Sequence, residues 1–399
     1  MQSENGSSNR LAPADMTATP FTITARIAGL CRQAVLPARF PGMARYARRV
    51  AAGLLFLPAL VLLQALHWLG FLLDEIFFRG YRQVEIREPV FVLGAPRSGT
   101  TCLHRLLAAD SRFTTFATWE CLFAPSITER KFWSGLASAD RFLGAPVARA
   151  FGALGRTALG WIDDKHPLGL GEPEEDYFCF LPLLACFILV VPFPEARWVW
   201  RMGTFDRDLP AAERQRLLTW YRRCLQRHLY AHGADRTLLS KNAAFAGMAR
   251  SLAREFPDAR IVVCERDAVE VIASQFNSVT DGLRLFGVPP DDPLFRQRLL
   301  DCLDFYYHNL EALRRELPPG RIASAPMDEL AVDPAALVRR LYQRLGLGVT
   351  DSLEERLGEL RRRRPHVPAA APPLSSWGID IADVVRRFSA WTRKEEPQT

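Results

Sequence analysis

Gly94-Ala95-Pro96-Arg97-Ser98-Gly99-Thr100-Thr101 is a run of residue types suited to holding an oxyanion. The glycines let backbone wrap closely, Ser98, Thr100 and Thr101 carry hydroxyl donors, and Arg97 supplies a cation. Cys102 to Leu107 follow with the apolar spacing of a helix, so the free N–H groups of a helix N-terminus face the same place. A nucleoside-triphosphatase loop would read Gly-x4-Gly-Lys-[Ser/Thr]. Here Thr100 follows Gly99 and the cation lies inside the loop, which suits a phosphate ester held without the magnesium-triphosphate lysine.

Further along, Arg266 ends a β-branched run and can fork onto phosphate, while Ser274 lies eight residues later on the helix that follows. Lys241 closes the segment Leu239-Ser240-Lys241-Asn242, and Glu120 closes Phe116-Ala117-Thr118-Trp119-Glu120. Taken singly, each is ordinary: a surface arginine, a solvated lysine, a helix-face hydroxyl, a capping carboxylate. His228 and His232 have the i, i+4 spacing of metal ligands, but no third ligand of the right type lies nearby in the sequence, so no metal is expected. His104 reads as a packing or capping residue. The acidic cluster Glu172 to Asp176 reads as a solvated loop or the border of an acceptor site.

The elements that must position these residues alternate between strand and helix. Strands are expected at 89–93, 236–240 and 260–264, helices at 246–256 and 268–276, with a turn at Pro257-Asp258. The fold class is α/β, a P-loop-like central parallel sheet wrapped by helices, with the ligand at the carboxyl ends of the strands and an N-terminal hydrophobic helix. No internal repeat is visible.

A chain of 399 residues, 49% hydrophobic and 24% charged, has the makeup of a globular enzyme. Its net charge of +7 comes almost wholly from arginine, Lys131, Lys165, Lys241 and Lys394 being the lysines, a bias of GC-rich bacterial genomes. Because the arginines are interleaved with acids, a nucleic-acid partner is not expected. The eight cysteines form no Cys-x-x-Cys pair and read as buried free thiols of a reducing compartment. Val50 to Leu73 hold no carboxylate, lysine or arginine over 24 residues, enough for a span of ~20 residues. Pro58, Gln64 and His67 interrupt the stretch, and a single span would put the basic tail in the cytosol and the rest outside. Residues 50–73 are therefore expected to associate with a membrane, in the interface, as a re-entrant element, or packed on the enzyme. The apolar run Tyr177 to Pro194 is expected to be core or the wall of an apolar pocket, since a crossing there would split the site. The organisation expected is an unstructured tail at 1–20, a basic and hydrophobic membrane-associated region at 21–87, a catalytic domain at 88–350 and a helical extension at 351–399, with Arg361 to Arg364 as a solvated helix end.

Pro96-Arg97-Ser98-Gly99-Thr100-Thr101 after a strand, with Arg266 and Ser274 downstream, resembles the family of sulfotransferases that use 3′-phosphoadenosine 5′-phosphosulfate (PAPS), in the bacterial branch related to tyrosyl-protein sulfotransferases. The resemblance covers about Val90 to Gly346. It implies that Pro96 to Thr101 hold the 5′-phosphosulfate and that Arg266 and Ser274 read the 3′-phosphate. It also implies that Arg97 and Lys241 stabilise charge as the S–O bond breaks and that Glu120 is the general base for in-line displacement. At Leu239-Ser240-Lys241-Asn242 and the residue after it the sequence departs from the family, Asn242 and Ala243 standing where a small residue and a proline are usual. The expected acceptor is a hydroxyl or amine, a lipid or other amphiphile being the candidate, at an active site facing the cytoplasm (the Golgi lumen in a eukaryote). A P-loop-type kinase and a non-catalytic, membrane-anchored nucleotide-binding protein are the alternatives.

Overall fold

The computed structural model describes residues 18–37, 42–144, 171–360 and 372–392. Most of the tail expected at 1–20, the run 361–364 and residues 393–399 lie outside these ranges; Ala18 already opens a helix. Five strands, β1 (Val90–Gly94), β2 (Phe113–Thr114), β3 (Thr237–Lys241), β4 (Arg260–Glu265) and β5 (Ile322–Pro326), form one sheet in the order β2-β3-β1-β4-β5. All four pairings are parallel. The central β1 is buried along its whole length because helices cover both faces. Phe91 and Leu93 join Ile261 and Val263 in one core, whereas Val90 and Val92 join Val262 and Leu239 in the other, the period-two split that a doubly covered strand requires.

Register brings the chemistry together. Val92 pairs with Lys241 and Gly94 with Cys264, so the carboxyl ends of β1, β3 and β4 lie side by side. These three strands begin and end within about one residue of the expected bounds. The helix expected at 246–256 is instead a 3₁₀ turn, Ala243–Met248, running into a helix at Ala249–Glu255. Asn242 starts that turn by accepting the Ala244 N–H at 2.9 Å.

Two helices precede the sheet, α1 (Ala18–Val35) and the 35-residue α2 (Met43–Phe77). The inner face of α2 is fixed to the rest of the fold by polar contacts. Asp74 is fully buried, accepts the Ile127 and Thr128 N–H groups at 2.9 and 2.8 Å, and pairs with Arg227 Nε at 3.0 Å. His67 Nδ1 lies 2.6 Å from Glu129 Oε1, and Trp68 donates to the Pro182 carbonyl at 3.0 Å. Gly70 allows this approach, since a Cβ there would stand 2.4 Å from Ser126 Oγ. The apolar run 177–194 is a buried pair of 3₁₀ turns, Asp176–Leu183 and Phe187–Val190, within the larger core. Six cysteines are buried; Cys31 and Cys102 are exposed, contrary to the expectation of burial, and all eight are free thiols. Both sit on helix surfaces, where an apolar sequence neighbourhood does not ensure cover.

Candidate active site

The loop between β1 and α3 (Thr100–Leu107) is tightened by its own serine, whose hydroxyl donates to the Ala95 carbonyl at 2.6 Å. Gly99 occupies the left-handed region, φ +90°, and caps α3, the Leu103 N–H bonding its carbonyl at 3.0 Å. Arg97, with a side chain, is also held left-handed, φ +70°. Backbone strain of this kind collects at ligand sites.

Arg97 Nε donates to Ser274 Oγ at 3.1 Å, and Arg266 Nη1 donates to the Arg97 carbonyl at 2.9 Å. Ser274 lies on α4 (Ala268–Leu285). Asp267 accepts the Val269 and Glu270 N–H groups at 2.9 and 3.2 Å, so the N-cap fixes Arg266 at the turn from β4 into that helix. Burial lowers the Arg97 pKa, the neighbouring Arg266 charge lowers it further, and Glu175 partly offsets both. Two like charges gathered at a helix N-terminus form a site for an anion. Glu270 meets Arg266 at 2.8 Å as a half-exposed counter-ion.

The wall behind Arg266 comes from the end of the chain. Tyr307 donates to the Arg266 carbonyl at 3.0 Å, its ring stacks on Trp391 at 5.3 Å, and the Trp391 carbonyl accepts the Ala268 N–H at 3.1 Å.

Lys241, at the last position of β3, is 3% exposed and donates to Glu175 Oε1 at 2.8 Å and to Thr101 Oγ1 at 3.2 Å. The segment 172–175 reaches it by running antiparallel to 116–118: Thr118 N bonds the Glu172 carbonyl at 3.1 Å, and Glu174 N the Phe116 carbonyl at 2.8 Å. Next in the chain, Asp176 is buried beside Tyr221, whose hydroxyl donates to it at 2.5 Å. Burial outweighs that bond and raises its pKa to about 6. The fully buried His104 bonds Thr115 Oγ1 at 2.7 Å, and burial, Lys241 and Arg105 hold it well below the usual histidine range.

Glu120 sits in a separate buried network, 1% exposed. Its carboxylate accepts the Ala117 N–H at 2.9 Å and meets His232 Nε2 at 2.6 Å, Arg130 Nε at 3.4 Å and His228 Nδ1 at 3.8 Å. Burial alone would raise its pKa; Arg130, the His232 hydrogen bond and His228 outweigh this and bring it to about 2. Glu120 is thus the third group beside the two histidines that sequence spacing could not supply, because it arrives through tertiary packing. The Arg130 guanidinium, also 3.5 Å from His228 Nδ1, already neutralises the carboxylate and makes the trio a poor cation site.

The structure therefore gathers Arg97, Thr101, Lys241, Arg266 and Ser274 at the carboxyl ends of the central strands, brings Glu175 to them, and holds Glu120 among Arg130, His228 and His232. Glu175 was visible in the sequence only as one member of an acidic cluster.

A parallel sheet with a lysine-free anion loop and a second arginine-serine pair defines a group-transfer enzyme. A sequence model described as "Sulfotransferase family" matches residues 89–351, and the chain belongs to that family. It is 28% identical over 290 residues, 70% of this chain and 68% of the relative, to the omega-hydroxy-beta-dihydromenaquinone-9 sulfotransferase Stf3 of Mycobacterium bovis, with the same figures for the Mycobacterium tuberculosis protein. The fold is similar to the crystal structure of sulfotransferase STF1 from M. tuberculosis H37Rv, with TM-score 0.68 and 18% identity over 94% of this chain and 97% of that one. It is also similar to STF9 from Mycobacterium avium, with TM-score 0.67 and 17% identity over 93% of this chain and 96% of that one.

Proposed function

We propose that the protein transfers a sulfuryl group from PAPS to a hydroxyl of a lipid-like acceptor. The observation that carries the donor is the convergence of Arg97, Arg266 and Ser274 beside the loop 94–101, with Lys241 at the next strand end. Two guanidinia within one hydrogen-bonded cluster fit a ligand with anionic groups at both ends, and the closeness of Ser98 to Gly94, where a Cβ would stand 2.5 Å from Ser98 Oγ, leaves bare backbone for it. PAPS, when bound, supplies an activated S–O bond. The acceptor oxygen forms a new bond to sulfur while the S–O bond to the bisphosphate breaks, and the acceptor proton passes to a carboxylate. A sulfate ester and adenosine 3′,5′-bisphosphate leave. Arg97 and Lys241 counter the charge that grows on the departing oxygen.

The proton acceptor has two readings. The resemblance gives the role to Glu120. The contact of Glu175 with Lys241 favours Glu175, because a general base must stand within reach of the reacting centre. A base near 2, as Glu120 is in its present surroundings, is also a weak one.

For the acceptor, support comes from the relative named for a menaquinone derivative and from the apolar helix α2. Purified enzyme with sulfur-labelled PAPS and extracted membrane lipids tests both halves. Label in the organic phase is expected; label confined to water-soluble products overturns the lipid acceptor. Thermal stabilisation by Mg-ATP but not by adenosine 3′,5′-bisphosphate would replace the donor with that of a kinase.

A further inference from the structure

Every exposed position of α2 between residues 51 and 77 is apolar. Leu55, Leu62, Leu66, Leu69, Leu72 and Ile76 form a single stripe at helical spacing and are 50 to 79% exposed. At 1.5 Å per residue that stripe is ~32 Å long. A second helix, α5 (Ile127–Phe142), packs on α2 and extends the surface with Phe132, Trp133 and Leu136, 62, 42 and 46% exposed. A stripe of this length is on the order of 300 Å² before α5 is added, which is as large as the whole largest patch of an ordinary soluble protein.

The opposite face cannot leave the enzyme. Asp74 is bound to Arg227 and to the first turn of α5, His67 to Glu129, and Trp68 to Pro182. Crossing a bilayer would require these buried pairs either to part or to enter hydrocarbon, at several kcal/mol for each unpaired charge. We infer that α2 does not span but lies along one leaflet, its Leu55 to Ile76 stripe and the tip of α5 sunk into a bilayer with anionic headgroups. The charge at its ends matches that partner. Exposed Arg45 and Arg48 precede the stripe, Arg79 follows it, and among the described residues none of the three has an acidic partner.

The surface leads to the catalytic edge. Glu175 is followed directly by the 3₁₀ turn Asp176–Leu183, which packs on α2 and receives the Trp68 hydrogen bond at its Pro182 carbonyl. An acceptor dissolved in the leaflet could then offer its hydroxyl without leaving lipid. This purpose rests on the lipid-acceptor reading; the docking itself does not.

The test uses the full chain with no donor and no acceptor, so it cannot fail through a wrong substrate. Flotation is measured with vesicles of phosphatidylcholine alone and of phosphatidylcholine mixed with phosphatidylglycerol. The chain is expected to float with the mixed vesicles, less so at high salt, and to be stripped from them by alkaline carbonate. Leu62→Glu with Leu66→Glu is expected to weaken vesicle binding by about tenfold or more. The melting temperature and its rise with adenosine 3′,5′-bisphosphate should stay as they were, which confirms folding of the variant. Unchanged flotation of that variant, resistance to carbonate as for a span, or a soluble dimer that becomes monomeric in the variant each overturns the inference.

Discussion

Lys241 Nζ and Glu175 Oε1 lie 2.8 Å apart, one on the last residue of a central strand and the other at the end of a segment borrowed from sixty-odd residues upstream. If the carboxylate facing Lys241 takes the acceptor proton, Glu175→Gln lowers kcat by about 10²-fold or more while the bisphosphate-induced rise in melting temperature stays. Glu120→Gln then costs stability, about 1–3 kcal/mol, through the network of Arg130 and His232, with a smaller loss of turnover. The reverse pattern returns the role to Glu120.

Arg266 and Ser274 are expected to divide the grip on the bisphosphate unequally. Arg266→Ala should weaken adenosine 3′,5′-bisphosphate by about 100-fold, the worth of charge-assisted bonds of ~3 kcal/mol, and abolish most of its thermal stabilisation. Ser274→Ala loses a neutral bond of ~1 kcal/mol and should cost roughly fivefold. Lys241→Ala should spare most of the binding and lower kcat, as read by isothermal titration beside initial rates.

Stability should fall on the acid side. His104 and His228 are buried and held well below their ordinary value, so the unfolded chain takes up protons below about pH 6.5 that the folded one refuses. Glu120, lowered from 4.5 to about 2, adds stability that is present above pH 4.5 and lost as the pH falls toward 2. Asp176 opposes them: raised from 3.8 to about 6, it charges reluctantly and destabilises the fold as pH climbs through that window. Denaturant unfolding at pH 8, 7, 6 and 5 reads the balance, and Asp176→Asn should stabilise the protein at pH 8 more than at pH 5.

Removing Asp74 leaves the buried Arg227 with Glu75 alone, at 3.0 Å, and takes the acceptor from the Ile127 and Thr128 N–H groups. Asp74→Ala should cost about 3–5 kcal/mol and lower the melting temperature by roughly 10 °C. Replacing both, Asp74→Leu with Arg227→Met, should recover part of the loss, since a well-packed apolar pair avoids stranding a charge.

Sequence reasoning reached what local rules determine. The strands at 90–94 and 260–265 announce themselves by β-branched runs, and the loop 94–101 by residue types that few other structures need. Arg97 stood out through its place in that loop, and Arg266 and Ser274 through the family resemblance; the structure brings the three together. What escaped depends on packing across distant segments. Glu175 gains its position from the pairing of 172–174 with 116–118, which leaves no periodic trace. The union of Glu120 with His228 and His232 needs contacts between one helix, Thr118–Phe123, and the end of another, Ala211–His232. The choice between a spanning and a packed α2 likewise turned on the partners of Asp74 and His67, which hydropathy does not register.

Trp391, almost the last described residue, closes over Tyr307 and accepts the first N–H of the helix that carries Ser274. The start of the helix that bears Ser274 is therefore held by a segment remote from it in the chain, which must fold back before the surroundings of Arg266 are complete. Trp391→Ala is expected to leave the five strands paired while loosening the turn that carries Arg266.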